Sequence, residues 1–207
     1  MPRIRKDVLD GARELARRDR VLERMVEEHG PPDLRRGRPR REHFAELARA
    51  ICYQQLAGKA AAAIHGRFDA LFDGDPTPES VLALPEATLR SVGLSASKTG
   101  SIRDLAVASL DGRVAFHALN RLPDDEVVRE LVQVRGIGEW TAHMFLMSQL
   151  GRLDVWPTGD YGVRNGYGRL WRREMPTAKE LFPLGDRFRP YRSLVAWYCW
   201  RAVDQVT

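Results

Sequence analysis

The sequence predicts an all-α fold of about ten short helices. Apolar residues recur at three- and four-residue intervals over most of the 207 residues, which is the period of an amphipathic helix. Glycine- and proline-rich turns separate these segments. Alternating β-branched runs and Asn-Gly hairpin signals do not accumulate anywhere, so a sheet is not expected.

The chain begins with a helix-like segment that ends near residue 28 and is followed by an arginine-rich loop. The segment places Leu9, Ala12, Leu15 and Ala16, and later Leu22 and Met25, on one face. Residues 30–41 contain Gly, Pro and five arginines and are a loop by composition. For the basic part, Arg35 to Arg41, a solvated surface loop is favoured over an arm that contacts phosphates.

Three further helical segments follow this loop. The first carries the stripe Phe44, Leu47, Ala48, Ile51, Cys52 and Gln55, which ends in an amide. After Gly58 the pattern resumes with Ala61, Ile64, Phe68, Leu71 and Phe72, and the turn 74–78 ends it. Short apolar pieces at 81–84 and 87–92 precede a helix capped by Ser95 or Ser97, with Ile102, Leu105, Ala106 and Leu110 on its core face.

Composition and charge restrict the functional classes. With 43% hydrophobic and 29% charged residues the chain has an ordinary globular composition. No stretch approaches the roughly 18 to 20 apolar residues of a membrane span, and no signal peptide is evident, so a cytoplasmic location is expected. The net charge of +5 weakly favours a polyanionic partner. Cys52 and Cys199 are too few for a disulfide framework and are expected to be buried.

Residues 131–150 contain two helices joined by a glycine turn. The first helix is predicted to end near Val134, and Gly136-Ile137-Gly138 makes a tight turn before a helix from about Glu139 to Leu150. Two glycines beside a helix start let the backbone approach a phosphate, although the same pattern also makes a plain helix–helix turn.

The second of these helices has two apolar faces. Ala142, Phe145, Leu146 and Leu150 form one, and Trp140, Met144 and Met147 form the other. Either the helix is buried on both sides, or Trp140 lines a cleft beside the glycine turn. The neighbouring His143 is interpreted as a helix-surface histidine.

Two aspartates follow in the segment D-V-W-P-T-G-D-Y. Asp160 precedes the helical pattern Tyr161, Val163, Tyr167, Leu170 and Trp171, so it is predicted to be an N-cap. A helix N-terminus favours an ionised carboxylate, which also suits an anionic catalytic group. Asp154 is predicted to stabilise a local turn.

The last helix presents two tryptophans outside its core stripe. Tyr191, Leu194, Val195, Tyr198 and Ala202 make the stripe, and Trp197 projects well off it. Trp197 therefore either crowds against a neighbouring lobe or faces a binding site. Trp200 is equally off the stripe but belongs to no motif, and is assigned to packing.

Together these segments resemble the helix-hairpin-helix, Gly/Pro-Asp (HhH-GPD) superfamily of DNA glycosylases over roughly residues 44–203. The resemblance lies in G-I-G-E-W-T-A followed by D-V-W-P-T-G-D-Y, in the helix turn at Ala50 to Ala61, in G-L-S-A-S-K at Gly93, and in Arg189 to Tyr198. It implies a two-lobed helical fold with a cleft between the lobes. The expected lobes are residues 44–155, which carry the hairpin, and residues 1–43 with 156–207.

The residue before the Thr-Ala of the hairpin motif selects the branch. Bifunctional members have a lysine there, whereas this chain has Trp140, so no Schiff base and no AP lyase activity are expected. The clustered cysteines of iron–sulfur members are missing, so no cluster is expected. The tryptophan variant is similar to the 3-methyladenine-DNA glycosylase II branch. The N-terminal β domain of its larger members is not expected, since about 40 residues precede the shared core.

The resemblance also implies roles for individual residues. Asp160 would face the sugar, and Trp140, Trp197 and Met144 would form the base pocket. Members of the family often have a tyrosine at the position of Met144. Gly136, Ile137, Gly138 and Thr141 would contact DNA. The wedge that fills the emptied stack would be Gln55, with Leu56 as the runner-up. The backbone carbonyls of Val132, Val134 and Ile137 would hold a structural Na⁺ or K⁺, and no other cofactor is expected.

The expected function is monofunctional excision of alkylated purines, of the 3-methyladenine and 7-methylguanine type, from duplex DNA by base flipping. The expected partner is double-stranded DNA with alkylated bases, bound by a monomer and without a membrane. Two alternatives stay open: a non-catalytic helix-hairpin-helix module that binds DNA, and a glycosylase for hypoxanthine or etheno lesions.

Overall fold

The computed structural model describes residues 5–32, 34 and 41–204, and the regular secondary structure of this part of the chain is helical throughout. Over these residues it contains twelve α-helices, one π-helical turn and one 3-10 turn, and no strand. The predicted all-α class is therefore confirmed, with twelve helices in place of about ten. The helices are α1 Lys6–Arg18, α2 Arg20–His29, α3 His43–Tyr53, α4 Gly58–Asp69, α5 Pro78–Ala83, α6 Glu86–Ser91, α7 Ala96–Leu110, α8 Asp124–Leu131, α9 Glu139–Phe145, α10 Tyr161–Leu170, α11 Ala178–Leu184 and α12 Arg192–Asp204.

The described residues form two compact units. Unit 1 comprises residues 5–32, 34 and 146–204, and unit 2 comprises residues 41–145. The sequence placed the second boundary between the units near residue 155, whereas the second segment of unit 1 begins at Leu146. Leu146–Leu150 is the π-helical turn that continues α9, so the predicted second helix of the hairpin runs across the boundary.

Unit 2 is built around α7, which packs against α3 and α5. The predicted stripe of α3 is confirmed from Phe44 to Cys52, whose side chains are buried. Gln55 was placed on that stripe, and this is wrong: α3 ends at Tyr53, and Gln55 is exposed with a positive φ of 55°. Leu110 was placed on the core face of α7, but it is 51% exposed because it is the last residue of that helix.

Helix caps and turns in unit 2 follow the sequence signals closely. Ser95 is the N-cap of α7 and accepts a hydrogen bond from the Lys98 N–H (3.2 Å), which selects it over Ser97. The proline-rich turn leads into α5, whose Thr77 cap forms a capping box with Ser80. Leu71 and Phe72 lie after α4, which ends at Asp69, so they belong to the turn and not to the helix.

In unit 1, α10 packs against α12, and α1 packs against α2. Gly166 makes the first pairing possible, because a Cβ atom there would overlap the backbone of Cys199. Asp154 was predicted to stabilise a local turn, but its carboxylate accepts hydrogen bonds from the distant Arg192 and Arg189 guanidinium groups at 2.7 and 2.9 Å and so connects its segment to the start of α12. Tyr161 was counted with the apolar pattern of α10, but it is 62% exposed.

Some predictions concern residues that the structure describes only in part. The prediction for the basic segment Arg35 to Arg41 lies outside the described residues, except for Arg41. Arg41 pairs with Asp69 (2.5 Å). Both cysteines are buried, as predicted, and burial raises the pKa of the Cys52 thiol to about 12. Among the described helices, none has the length and apolarity that a membrane crossing requires.

Candidate functional site

The glycine turn of unit 2, residues 134–138, joins α8 to α9. Helix α8 ends at Leu131, three residues earlier than predicted, with Val132 as its C-cap. The Ile137 N–H donates to the Val134 carbonyl (3.1 Å), which closes the turn. Val134 and Ile137 are buried, whereas Val132 is 42% exposed. Gly136 has a φ of 79°, a conformation that glycine adopts readily.

The two glycines of this turn have different surroundings. A Cβ atom at Gly136 would overlap the Ser101 hydroxyl and lie 3.1 Å from Ser101 Cβ, so Gly136 is required by internal packing. A Cβ atom at Gly138 would meet no atom within 4 Å, and Gly138 is exposed. The fold therefore does not demand glycine at position 138, and the backbone there is open to approach from outside.

Helix α9 presents the Trp140 side chain to the surface, whereas Phe145 is buried. Trp140 is 50% exposed, which overturns the interpretation that the helix is buried on both sides. Met144, one turn later, is half-buried, and Thr141 is buried. His143 was interpreted as a surface histidine, but it is half-buried, and burial lowers the pKa of its imidazole.

The turn 54–56 contacts the glycine turn directly. The Gln54 amide donates to the Gly136 carbonyl (3.0 Å) and to the Thr141 hydroxyl (3.4 Å). Gln55 and Leu56, the predicted wedge residues, are both exposed. The sequence pattern singled out Gln55 and missed Gln54. The adjacent pair of glutamines was the signal that could have indicated a role for Gln54 as well.

In unit 1, Asp160 is the N-cap of α10, as predicted. Its Oδ1 accepts the Val163 backbone N–H (2.7 Å) and also the indole N–H of Trp200 (2.9 Å). Trp200 was assigned to packing alone, and that assignment is wrong because its indole N–H binds the carboxylate. Gly162 allows this approach, since a Cβ atom there would lie 2.8 Å from Trp200 Cδ1. The carboxylate is thus held between a helix N-terminus and an indole.

Trp197, the tryptophan singled out by the sequence, has a different environment. It is half-buried, and its ring centre lies 6.5 Å from that of His29 on α2 in an edge-to-face arrangement. The Arg201 guanidinium lies 5.3 Å from the same ring centre. Of the two off-stripe indoles of α12, Trp200 is therefore the one that binds Asp160.

Comparison with known proteins shows the family of this chain. The sequence profile of the HhH-GPD superfamily base excision DNA repair proteins matches residues 48–187, which is more than half of the chain. The chain belongs to the HhH-GPD superfamily. The match includes the turn 54–56, the glycine turn and Asp160, whereas Trp200 lies beyond it.

Several HhH-GPD relatives are similar over nearly the whole chain. DNA-3-methyladenine glycosylase 1 of Schizosaccharomyces pombe is 35% identical over 88% of this chain and 82% of its own length. A structure of the S. pombe 3-methyladenine DNA glycosylase in complex with abasic DNA has a TM-score of 0.81 at 34% identity, covering 93% of this chain and 95% of that one. The DNA-3-methyladenine glycosidase of Bacillus halodurans has a TM-score of 0.84 at 32% identity, covering 95% and 90%.

The two glycines of the hairpin give a first prediction. We expect Gly136→Ala to lower the free energy of unfolding by about 1–3 kcal/mol, because it combines a positive φ with a clash at Ser101. Gly138→Ala should unfold like the wild type but bind duplex DNA more weakly, since its new methyl group occupies space open to a ligand. Thermal melts and fluorescence anisotropy with duplex DNA measure the two effects. The opposite pattern would contradict this assignment of the glycines.

Proposed function

We propose that this protein is a monofunctional DNA glycosylase that hydrolyses the N-glycosidic bond of alkylated purines, of the 3-methyladenine and 7-methylguanine type, in duplex DNA. The observation that carries the proposal is the Asp160 carboxylate at the N-terminus of α10, bound by the Trp200 indole. The relatives that are named DNA-3-methyladenine glycosylase or glycosidase support the substrate class. The protein would act in the cytoplasm as a monomer.

Cleavage of the glycosidic bond of an alkylated purine requires mainly an anion near the sugar and a pocket that holds the base. A purine alkylated at N3 or N7 is cationic, so the C1′–N bond breaks with its electron pair passing to the base, which leaves neutral. The sugar becomes an oxocarbenium ion, and an ionised carboxylate stabilises that charge. Water then adds to C1′ and loses a proton, for which Asp160 is the acceptor. No strong general acid is needed.

The base pocket would be formed by aromatic and sulfur-containing side chains. Trp140, with half of its surface exposed, can place its ring against a cationic base, an interaction worth roughly 0.5–2 kcal/mol. Met144 and Trp197 are the further pocket residues. The Trp200 indole, which donates to Asp160, would orient the carboxylate beside this pocket.

DNA would be held by the hairpin and opened by the turn 54–56. The open backbone at Gly138 supports contact of residues 136–138 and Thr141 with a phosphate. Gln55 or Leu56, both exposed, would fill the stack when the nucleotide is extruded. The Val132, Val134 and Ile137 carbonyls are neutral oxygen donors that suit Na⁺ or K⁺, and Val134 keeps a lone pair beside its bond to Ile137. Such an ion would add positive charge towards the phosphate, and no other cofactor is proposed.

Duplexes that each carry one defined lesion test the proposal. We expect single-turnover release of 3-methyladenine and 7-methylguanine from duplex DNA, and no release from an undamaged duplex. Release of only hypoxanthine or ethenoadenine would replace the proposed lesion class. Binding without release from any duplex would indicate a non-catalytic DNA-binding member of the superfamily.

A second prediction concerns the absence of lyase chemistry. Trp140 occupies the position where lyase members have a lysine, so borohydride reduction during turnover should trap no covalent protein–DNA adduct. The measurement is denaturing electrophoresis with a labelled lesion duplex, and a lysine-bearing member of the superfamily is the positive control. An adduct with this protein would assign it to the lyase branch.

A further inference from the structure

One side of α7 contacts both the turn 54–56 and the glycine turn. Lys98, Ser101 and Asp104 are three residues apart along this helix and therefore lie on one side of it. Lys98 contacts the first turn, Ser101 lies under Gly136, and the Asp104 carboxylate accepts the Arg135 backbone N–H (2.7 Å). All of these residues belong to unit 2. A single rigid helix thus contacts both turns.

Lys98 makes the contact that ends α3. Its ammonium group donates to the Cys52 carbonyl (2.8 Å) and to the Gln54 carbonyl (2.7 Å). Carbonyls at a helix C-terminus have no partner within the helix, and a lysine ammonium satisfies them well. These two bonds flank the point where the chain leaves the helix. They hold Gln55 in a positive φ that a residue other than glycine rarely adopts.

Gln54 connects the same turn to the hairpin. Its carbonyl accepts from Lys98, while its side-chain amide donates to the Gly136 carbonyl (3.0 Å). Gln54, the first residue of the turn 54–56, is therefore bound both to α7 and to the glycine turn. A movement of Lys98 would change the position of Gln55 and Leu56 relative to the backbone at Gly136 and Gly138.

We propose that Lys98 is a positioning residue for nucleotide extrusion. By binding two backbone carbonyls, it fixes the position of the turn 54–56 relative to the glycine turn. The inference rests on the proposed function, in which this turn fills the emptied stack. Lys98 itself need not touch DNA. Loss of Lys98 should slow the step in which a paired base leaves the DNA duplex, and should leave the rate of the later cleavage of the glycosidic bond unchanged.

Extrusion and cleavage can be separated by the partner base of the lesion. Extrusion costs least for a mismatched base, so the same 7-methylguanine is placed opposite cytosine in one duplex and opposite a mismatched base in another. We expect Lys98→Met to release the paired lesion about tenfold more slowly and the mismatched lesion less than about twofold more slowly. Lys98→Arg, which keeps two donors, should restore most of the rate. Lys179→Met, the same change at an exposed lysine of α11, should behave like the wild type.

Equal losses on both duplexes, from a variant that melts like the wild type, would overturn the proposal. If Lys98→Met does not fold, Gln54→Leu tests the same connection, because it removes only the amide bond to the hairpin. A wild-type ratio of the two rates for that variant would also overturn it. If the wild type releases no base from either duplex, the proposed function fails instead. A 2-aminopurine beside the lesion then still reports extrusion on binding, and Lys98→Met must reduce its fluorescence change.

Discussion

Asp160→Asn is expected to abolish release of 3-methyladenine while binding of lesion DNA survives. Asparagine caps helices as well as aspartate does, and its Oδ1 can still accept the Val163 and Trp200 N–H groups. The variant therefore removes the negative charge and little else. Loss of electrostatic stabilisation of the sugar should slow single-turnover release by roughly a hundredfold or more. Anisotropy titration with the same duplex should give a dissociation constant near that of the wild type.

Asp19 provides a matched control within the same unit. It is the N-cap of α2, it accepts the Val21 N–H (2.8 Å), and its Oδ2 accepts the Trp171 indole N–H (3.0 Å). Asp19→Asn thus repeats the chemical change at another cap bound by an indole, and it also weakens the ion pair of Asp19 with Arg187 (2.9 Å). We expect it to release base at nearly the wild-type rate. If Asp160→Asn turned over like the wild type, or if both variants lost activity equally, the catalytic assignment of Asp160 would be wrong.

The parts of this molecule that the sequence predicts well are determined by local interactions. Apolar spacing located α3, because residues three and four apart share a helix face whatever lies beyond them. Asp160 was predicted as an N-cap, and Ser95 as one of two candidates with Ser97, because a cap is recognised within its own first turn. The glycine turn was found in the same way, from two glycines beside a helix start.

The parts that the sequence does not predict depend on residues far apart in the chain. The helical pattern of α3 continues through Gln55, and nothing nearby in the sequence shows that Lys98 binds the carbonyls of Cys52 and of the C-cap residue Gln54, where the helix ends. The amide of Gln54 reaches Gly136, 82 positions later. Neither contact has a local periodic signature, so the turn 54–56 could be suspected from its motif but not built from it.

The choice between two tryptophans of α12 illustrates the same limit. Both Trp197 and Trp200 leave the core stripe, and helical periodicity cannot say what lies opposite each of them. The answer depends on α10, where Gly162 leaves space for the Trp200 indole beside Asp160. A glycine in the first turn of a helix is a weak signal on its own. Its meaning follows only from the packing of α10 against α12.

Trp200→Phe is therefore expected to slow base release by roughly 10- to 100-fold, since a hydrogen bond to a charged group contributes about 1.5–3 kcal/mol. Phenylalanine keeps an aromatic ring but removes the N–H that holds Asp160 Oδ1 at 2.9 Å. Without this bond the Val163 N–H still holds Oδ1, but the donor from α12 that orients the carboxylate is lost, so the rate constant of the chemical step should fall. Binding of lesion DNA should change little. Single-turnover release at saturating protein and anisotropy titration measure the two quantities.

Trp171→Phe is the control for this variant, because Trp171 donates its indole N–H to another capping aspartate, Asp19, at 3.0 Å. Both changes remove one indole–carboxylate bond within unit 1, so a comparable loss of thermal stability is expected. Only Trp200→Phe should also slow cleavage. If Trp171→Phe slowed release as much as Trp200→Phe, the bond between Trp200 and Asp160 would be a contribution to folding and not to the orientation of the catalytic carboxylate.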